Sequence, residues 1–389
     1  MKLKLSFFAL LLISILGFGQ QRSLTENAEV SILTFGPGTS LNDAFGHNAF
    51  RIKDENQRID LVYGYGEYDF GAPNFYLKFA RGKLNYMISK NSFANIFRHY
   101  SSYNRSIKEQ ILNLSFEEKQ RLFDFLENNY RPENRKYLYD FFFDNCATRI
   151  RDVSDIATKN TITYGFPDDS QQKTFRQLIH EHLSFNSWGS LGIDIALGSV
   201  IDREATANEY MFLPKYIHAF FNTAKIDKTN DLVKSSSTLF ESKPTNASTN
   251  ISFSPLFIIG LIAIAIIYIT YKNFMSKTRS KWLDILLFGI TGLVGVILLL
   301  LWFATDHTAT GYNYNLLWAF PLNLLLLYQL NNDKVKNWVR GFLKFLIIML
   351  CLMTMHWIIG VQVFAITLIP LLIALLLRYI YLLKFYGKN

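Results

Sequence analysis

Two side chains in this sequence have the type and setting for covalent chemistry, Cys146 and His47. The chain holds only two cysteines. The other, Cys351, lies inside a long apolar run, so Cys146 has no disulfide partner and a Cys-built zinc site is excluded. In Asp144-Asn145-Cys146-Ala147, Asp144 or Asn145 reads as a helix N-cap and Cys146 as a first-turn residue. Unpaired N–H groups and the positive end of the helix dipole are expected to lower a thiol pKa there. A thiolate also needs a base or cation nearby. His47 sits in Phe45-Gly46-His47-Asn48-Ala49-Phe50-Arg51, at a turn entering a strand. A histidine so placed, facing a cysteine at a helix start, is the arrangement of Cys–His nucleophilic catalysis. Two plainer readings stay open: a small buried thiol under a cap, and a turn histidine satisfied by backbone.

Other polar residues are weaker candidates. Asn145 reads as a helix cap more readily than as a catalyst. Arg149 and Arg151 have the chemistry to bind phosphate, but a helical Arg commonly pairs with a local acid. Asp306 and His307, in Thr305-Asp306-His307-Thr308, have the chemistry to orient a substrate or complete a site; a solvated loop is the plainer account. His99, His180, His182 and His218 have no comparable context. His180-Glu181-His182 lacks a third ligand at recognisable spacing, and Tyr63-Gly64-Tyr65-Gly66 is too aromatic for a phosphate loop. No metal site and no cofactor are expected. Asp202 and Glu209 have no evident role.

The elements that must position these residues are legible in part. Glu29 to Phe35, Ala49 to Lys53 and Ile59 to Tyr65 have the β-branched content or alternation of strands. Ser115-Phe116-Glu117-Glu118 is a capping box opening a helix to about Asn129, with Leu122, Phe123 and Leu126 on one face. Strands and helices together indicate an α+β domain. Residues 226–252 are rich in Ser, Thr, Asn and Lys and read as a linker.

Half of the 389 residues are hydrophobic and only 18% charged, against about 25% in ordinary globular chains. The shortfall points to membrane-buried sequence. Residues 1–19 read as a signal peptide: Lys2 and Lys4, an apolar core from Phe7 to Leu16, and Gly17-Phe18-Gly19. An uncleaved anchor is the alternative; either way the chain that follows is exported. Residues 253–389 read as an all-α membrane bundle of five transmembrane helices, at about 253–271, 281–303, 314–330, 340–358 and 361–383, each near the ~20 residues that cross a bilayer. Pro321 interrupts the third.

The formal charge of +9 is unevenly placed. Residues 251–389 carry 11 Lys and Arg against 3 Asp and Glu, whereas 21–250 is nearly neutral. A domain built to neutralise nucleic-acid phosphates is therefore excluded. The loop from Ala304 to Asn313 has no Lys or Arg, while Lys272, Lys277, Arg279, Lys281, Lys334, Lys336, Arg340, Arg378, Lys384 and Lys388 all fall on the other side of a five-span arrangement. The positive-inside rule then places the C-terminus in the cytoplasm and the domain at 20–225 outside. Asp284, Asp306 and Asp333 lie at or near span ends, so no charge pair is expected within the membrane, which argues against an ion-coupled transporter. Trp302, Trp318 and Trp357 fit an interfacial belt.

FGHNAFRI, VYGYGEYDFGAPNFYLKFARGKLNYMI, FFFDNCATRIRD, EYMFLPKYI and WFATDHTATGYNYNLLWAFPLN together resemble the Lnb family of bacterial lipoprotein N-acyltransferases. The likeness covers most of the chain. The order of an early Gly-His and a late Asn-Cys also resembles circularly permuted papain-like enzymes, lecithin–retinol acyltransferase among them. The resemblance implies catalytic Cys146 and His47, an acyl-enzyme thioester, a phospholipid acyl donor and a diacylated lipoprotein as acceptor. It implies a multi-pass protein of the bacterial inner membrane with a periplasmic papain-like domain. The competing functions are a membrane-tethered cysteine peptidase or amidase acting on cell-wall peptides, which has little use for five spans, and a non-catalytic membrane scaffold.

Overall fold

The computed structural model describes residues 23–166, 172–244, 251–332 and 335–387; the expected signal peptide lies outside them. The N-terminal domain is built on a sheet whose strands are β1 (Glu29–Phe35), β2 (His47–Asp54), β3 (Ile59–Tyr68), β4 (Asn85–Ser92), β5 (Ile107–Leu112), β6 (Lys136–Leu138) and β10 (Val233–Phe240). Their order is β10-β5-β1-β2-β3-β4-β6, with every pair antiparallel. Helix α1 (Phe75–Ala80) lies between β3 and β4, and α2 (Phe93–Ser102) follows β4. Next come α3 (Phe116–Tyr130), with the Ser115–Glu118 capping box, and α4 (Cys146–Ala157).

Side chains alternate along a strand, so each strand serves two faces. Val30, Ile32, Phe50, Ile52, Tyr63 and Tyr65 face the main core, where Leu122, Phe123 and Leu126 of α3 and Ala147, Ile150 and Val153 of α4 pack. Leu33, Phe35, Ala49, Val62 and Ile107 face the other way, under Phe93, Ile96, Phe97 and Tyr100 of α2. The sheet is thus covered on both sides.

After α4 come short elements: β7 (Ile162–Thr163), α5 (Phe175–His180), α6 (Trp188–Ala196), α7 (Ala207–Tyr210), α8 (Pro214–Thr223), β8 (Lys225–Ile226) and β9 (Asn230–Asp231). The last two and β10 correct the expected linker. Residues 225–240 are folded, and β10 forms the sheet edge on β5. Its Ser-rich sequence gives no alternation because most of the strand is exposed. Only the stretch from 241 onward connects to the bundle.

The membrane region is α9 (Pro255–Ser276), α10 (Lys281–Phe303), α11 (Asn323–Leu330), α12 (Trp338–Ile358) and α13 (Ile369–Phe385). Among the described residues, four helices are by themselves long and apolar enough to cross a membrane: α9, α10, α12 and the run ending in α13. The expected third span is broken. It has a 3₁₀ turn at Tyr314–Leu317, an irregular stretch through Pro321, then the eight residues of α11. Pro321 cannot donate a backbone hydrogen bond and its ring displaces the preceding turn. Backbone freed at that depth must be sheltered inside protein. Here it seats on α10 at Gly295, where a Cβ would come within 2.1 Å of the Ala319 carbonyl oxygen. Asn323 donates to Thr291 of α10 at 2.9 Å. The segment still runs from end to end of the bundle: Tyr314 N donates to Gln362 beside the N-terminal domain, and the Leu330 carbonyl accepts from Arg279 at the far end.

That far end holds a second correction. Arg378 and Asp284, both fully buried, pair at 2.7 Å, with Asn273 accepting from Arg378 at 2.8 Å. A charge pair does link two helices, α10 and α13. Ninety-four residues separate its partners, beyond the reach of any local pattern. Trp318 is also internal rather than interfacial, donating to Asn315 at 2.9 Å.

Domain and bundle are joined through α6. Leu191 is buried in the bundle core. Asn313 donates to the carbonyls of Ile195 and Ala196, and Asn315 to that of Asp194. The backbones meet directly at Gly198, where a Cβ would lie 1.8 Å from the Gly311 carbonyl oxygen.

Candidate active site

Cys146 is the first residue of α4, and Asn145 is its N-cap. The Asn145 side chain accepts from the N–H groups of Ala147 and Thr148 and donates to the carbonyls of Phe141 and Phe212. Every polar atom of Asn145 is used in fixing the helix start. Its role in the structure is therefore positional.

His47 opens β2 and pairs with Phe35 of β1. It points to the α2 side of the sheet, while α4 packs on the opposite side. The two residues approach each other only around the end of β2. There the N–H of Asn48, the residue after His47, faces the Cys146 sulfur together with the N–H groups of Cys146 and Ala147. Strand β3 runs past both residues. A Cβ on Gly64 would lie 3.3 Å from His47 Nε2, and one on Gly66 4.0 Å from the Cys146 Cβ. Gly66 has φ +102° and sits at a bulge in the β3–β4 register; that backbone favours glycine. Side chains are thus missing where the ring and the thiol need room.

A cavity of about 500 Å³ opens on the α2 side, lined by His47, Gly64, Gly66, Glu67, Ser89, Asn91, His99 and Tyr100 among others. The Tyr100 ring stacks on Phe35 at 3.7 Å, and Phe35 lies 6.0 Å from the imidazole. Arg105 lies across Tyr100 at 4.8 Å and donates to the Gly36 carbonyl. Its Nη2 is buried without a hydrogen-bond partner.

Electrostatics corrects one expectation. Burial pushes the Cys146 thiol up to about 11, against the opposing pull of the three N–H groups and Arg105. The helix start alone would have lowered it. Burial, and secondarily Arg105, take His47 down to about 4. Both groups retain some accessible surface, yet loss of solvation dominates. At neutral pH the thiol and the imidazole are both uncharged. Among the described residues no hydrogen bond joins the sulfur to the ring.

The remaining candidates lie elsewhere. Arg149 forms a bidentate pair with Asp144, the second bond at 2.6 Å, and covers Tyr137; the local-acid reading describes it. Asp306 N donates to the Arg81 carbonyl, and its carboxylate is 3.5 Å from Lys83. His307 Nε2 is 3.2 Å from the Ala80 carbonyl oxygen. These two residues dock the α10–α11 loop onto the N-terminal domain. Glu209 pairs with Arg203, and Asp202 with the buried Arg176. His180 is 3.0 Å from Asp194. Among the described residues no group of three or more His, Cys, Asp and Glu side chains is placed to hold a metal. The sequence reading missed Arg105, Tyr100 and Arg176, which carry no motif; Gly64 and Gly66 were visible as a glycine-aromatic run without an assigned use.

Neither a curated protein nor a solved structure matches this chain. Two family descriptions do. Residues 18–181 match the Lnb N-terminal periplasmic domain, and residues 246–389 match the Lnb transmembrane domain. The two matches follow in order and include both Cys146 and His47 in the first. The chain therefore belongs to the Lnb family, as a membrane protein with a periplasmic N-terminal domain and a multi-span transmembrane domain.

Proposed function

We propose that the protein is an inner-membrane lipoprotein N-acyltransferase, with its C-terminus in the cytoplasm, in which Cys146 carries the acyl chain and His47 moves the protons. The observation that supports this reading most is the convergence of the Asn48 and Cys146 N–H groups on the thiol, beside the imidazole-lined cavity. The order of histidine strand and cysteine helix is that of a permuted papain-like enzyme.

The neutral resting pair defines the first step. His47 takes the thiol proton as the sulfur attacks the ester carbonyl carbon of a phospholipid, so charge appears only during attack. The C–S bond forms and the carbonyl oxygen becomes an oxyanion. Backbone N–H groups aimed at the sulfur are near enough to receive it. The C–O bond then breaks, and His47 returns the proton to the departing lysophospholipid. The neutral α-amine of the diacylated lipoprotein attacks the thioester, and His47 accepts its proton. Amide formation and reprotonation of the sulfur close the cycle without cofactor. Water must be kept away, because it would hydrolyse the thioester; attachment of the domain to a membrane bundle serves that end.

Mass spectrometry of lipoprotein N-terminal peptides tests this. Cells lacking the gene, and cells carrying Cys146→Ser or His47→Ala, are expected to lose the third acyl chain. Unchanged triacylation in that host would reject the assignment.

A further inference from the structure

Helix α1 contributes nothing to a core. None of its six residues is buried, and its N-cap, Asn74, adopts a left-handed conformation without a capping side-chain hydrogen bond. Its sequence, Phe-Tyr-Leu-Lys-Phe-Ala, is nonetheless almost wholly apolar. Phe70, Tyr76, Leu77 and Phe79 are 69%, 80%, 58% and 54% exposed. A contiguous surface of this kind in water marks an interaction site.

The location of α1 says what covers it. Immediately after the helix, Arg81 accepts from the backbone of Asp306, and the Ala80 carbonyl lies against His307. Asp306 is three residues beyond Phe303, the end of the membrane-spanning helix α10. Six residues of helix extend about 9 Å, so all of α1 stays close to the end of that span. Elsewhere on the domain's rim, exposed Trp188 donates to the carbonyl of Phe253, two residues before α9 begins. Aromatic side chains at span ends occupy the lipid–water boundary. Lys78 and Arg81, on and just after α1, suit anionic headgroups.

We propose that α1 and Phe70 form a membrane-inserting element. Their apolar side chains enter the acyl region of the leaflet facing the periplasmic domain, and Lys78 and Arg81 remain at headgroup level. The occupant is lipid because this surface begins where a spanning helix ends. The inference stands on the spanning helices and needs no particular chemistry at Cys146.

The test uses the full chain in nanodiscs of phosphatidylethanolamine and phosphatidylglycerol. With Cys146→Ser and Cys351→Ser as background, a nitroxide is attached through Leu77→Cys or Phe79→Cys, with exposed Glu117→Cys as the aqueous control. Insertion predicts an oxygen-to-nickel collision ratio several-fold higher at 77 and 79 than at 117. Equal ratios at all three sites overturn the proposal, and would be the result for a protein-docking surface, since the discs hold no second protein. Tyr76→Trp with both cysteines intact gives an independent reading. Its added fluorescence is expected to be quenched by lipid brominated on the acyl chain. Quenching by aqueous iodide instead overturns the proposal.

Discussion

Two buried arginines define two regions of the periplasmic domain with opposite economies of polar contact. Arg176, at the junction with the bundle, donates to Asp194, to Asp202 and to the carbonyls of Leu197 and Gly198. Asp202 in turn accepts from the backbone of Val363, between α12 and α13. Arg105, beside His47, has one short bond to Gly36, a looser ion pair with Asp43 at 3.6 Å and an idle Nη2. A fully engaged buried guanidinium fixes geometry. An under-engaged one retains a field and a donor that act on its neighbours, here an imidazole and a thiol. The junction is a joint, whereas the cavity keeps a buried cation whose donors are only partly engaged.

The sharpest way to break this contrast is Arg176→Met. Removing one partner of a buried ion cluster leaves Asp194 and Asp202 without their counter-charge, at a cost of about 3–5 kcal/mol. Thermal unfolding in detergent measures it. Adding Asp194→Asn and Asp202→Asn is expected to recover part of the loss. An Arg176→Met protein as stable as the parent would show that the junction is held by its apolar contacts alone.

Thiol reactivity gives the next effect. With burial holding the Cys146 thiol near 11, little thiolate exists at pH 7.5. Alkylation by iodoacetamide is expected to be roughly 10- to 100-fold slower than for a free cysteine, after allowing for the greater nucleophilicity of a high-pKa thiolate. Peptide mapping of the labelled chain follows it, with the denatured chain as reference. Faster labelling in the folded state would mean that the helix start and its N–H groups outweigh burial.

What the sequence disclosed follows the range of the forces involved. Strand β1, the Ser115–Glu118 capping box and Asn145 as the cap before Cys146 are local patterns, and each stands where the pattern put it. Strand β10 was missed because an exposed edge strand is defined by its distant partner β5. Pro321 was visible, but not the Gly295 seat that shelters the break. The helix start at Cys146 was legible, and the burial that reverses its effect on the thiol was not. Gly64, Gly66 and Arg105 gain meaning only when β3 and the loop before β5 are brought beside β2.

Arg105→Gln sharpens the comparison with the smallest change. In the parent, burial and then the Arg105 cation hold the His47 pKa near 4, below its unfolded value of about 6.5. The unfolded chain therefore binds more protons between those values. Stability conferred by the neutral ring is present above pH 6.5 and is lost as pH falls toward 4. Without the cation, His47 rises toward its ordinary value and Cys146 rises further. The melting temperature of Arg105→Gln should fall less steeply than that of the parent between pH 6.5 and 4. The acid limb of the proposed acyl transfer, assayed with a defined phospholipid, should move to higher pH. If the slope and the limb both stay where they were while the melting temperature drops uniformly, Arg105 is a second joint like Arg176. The two regions would then differ only in how many bonds each arginine makes.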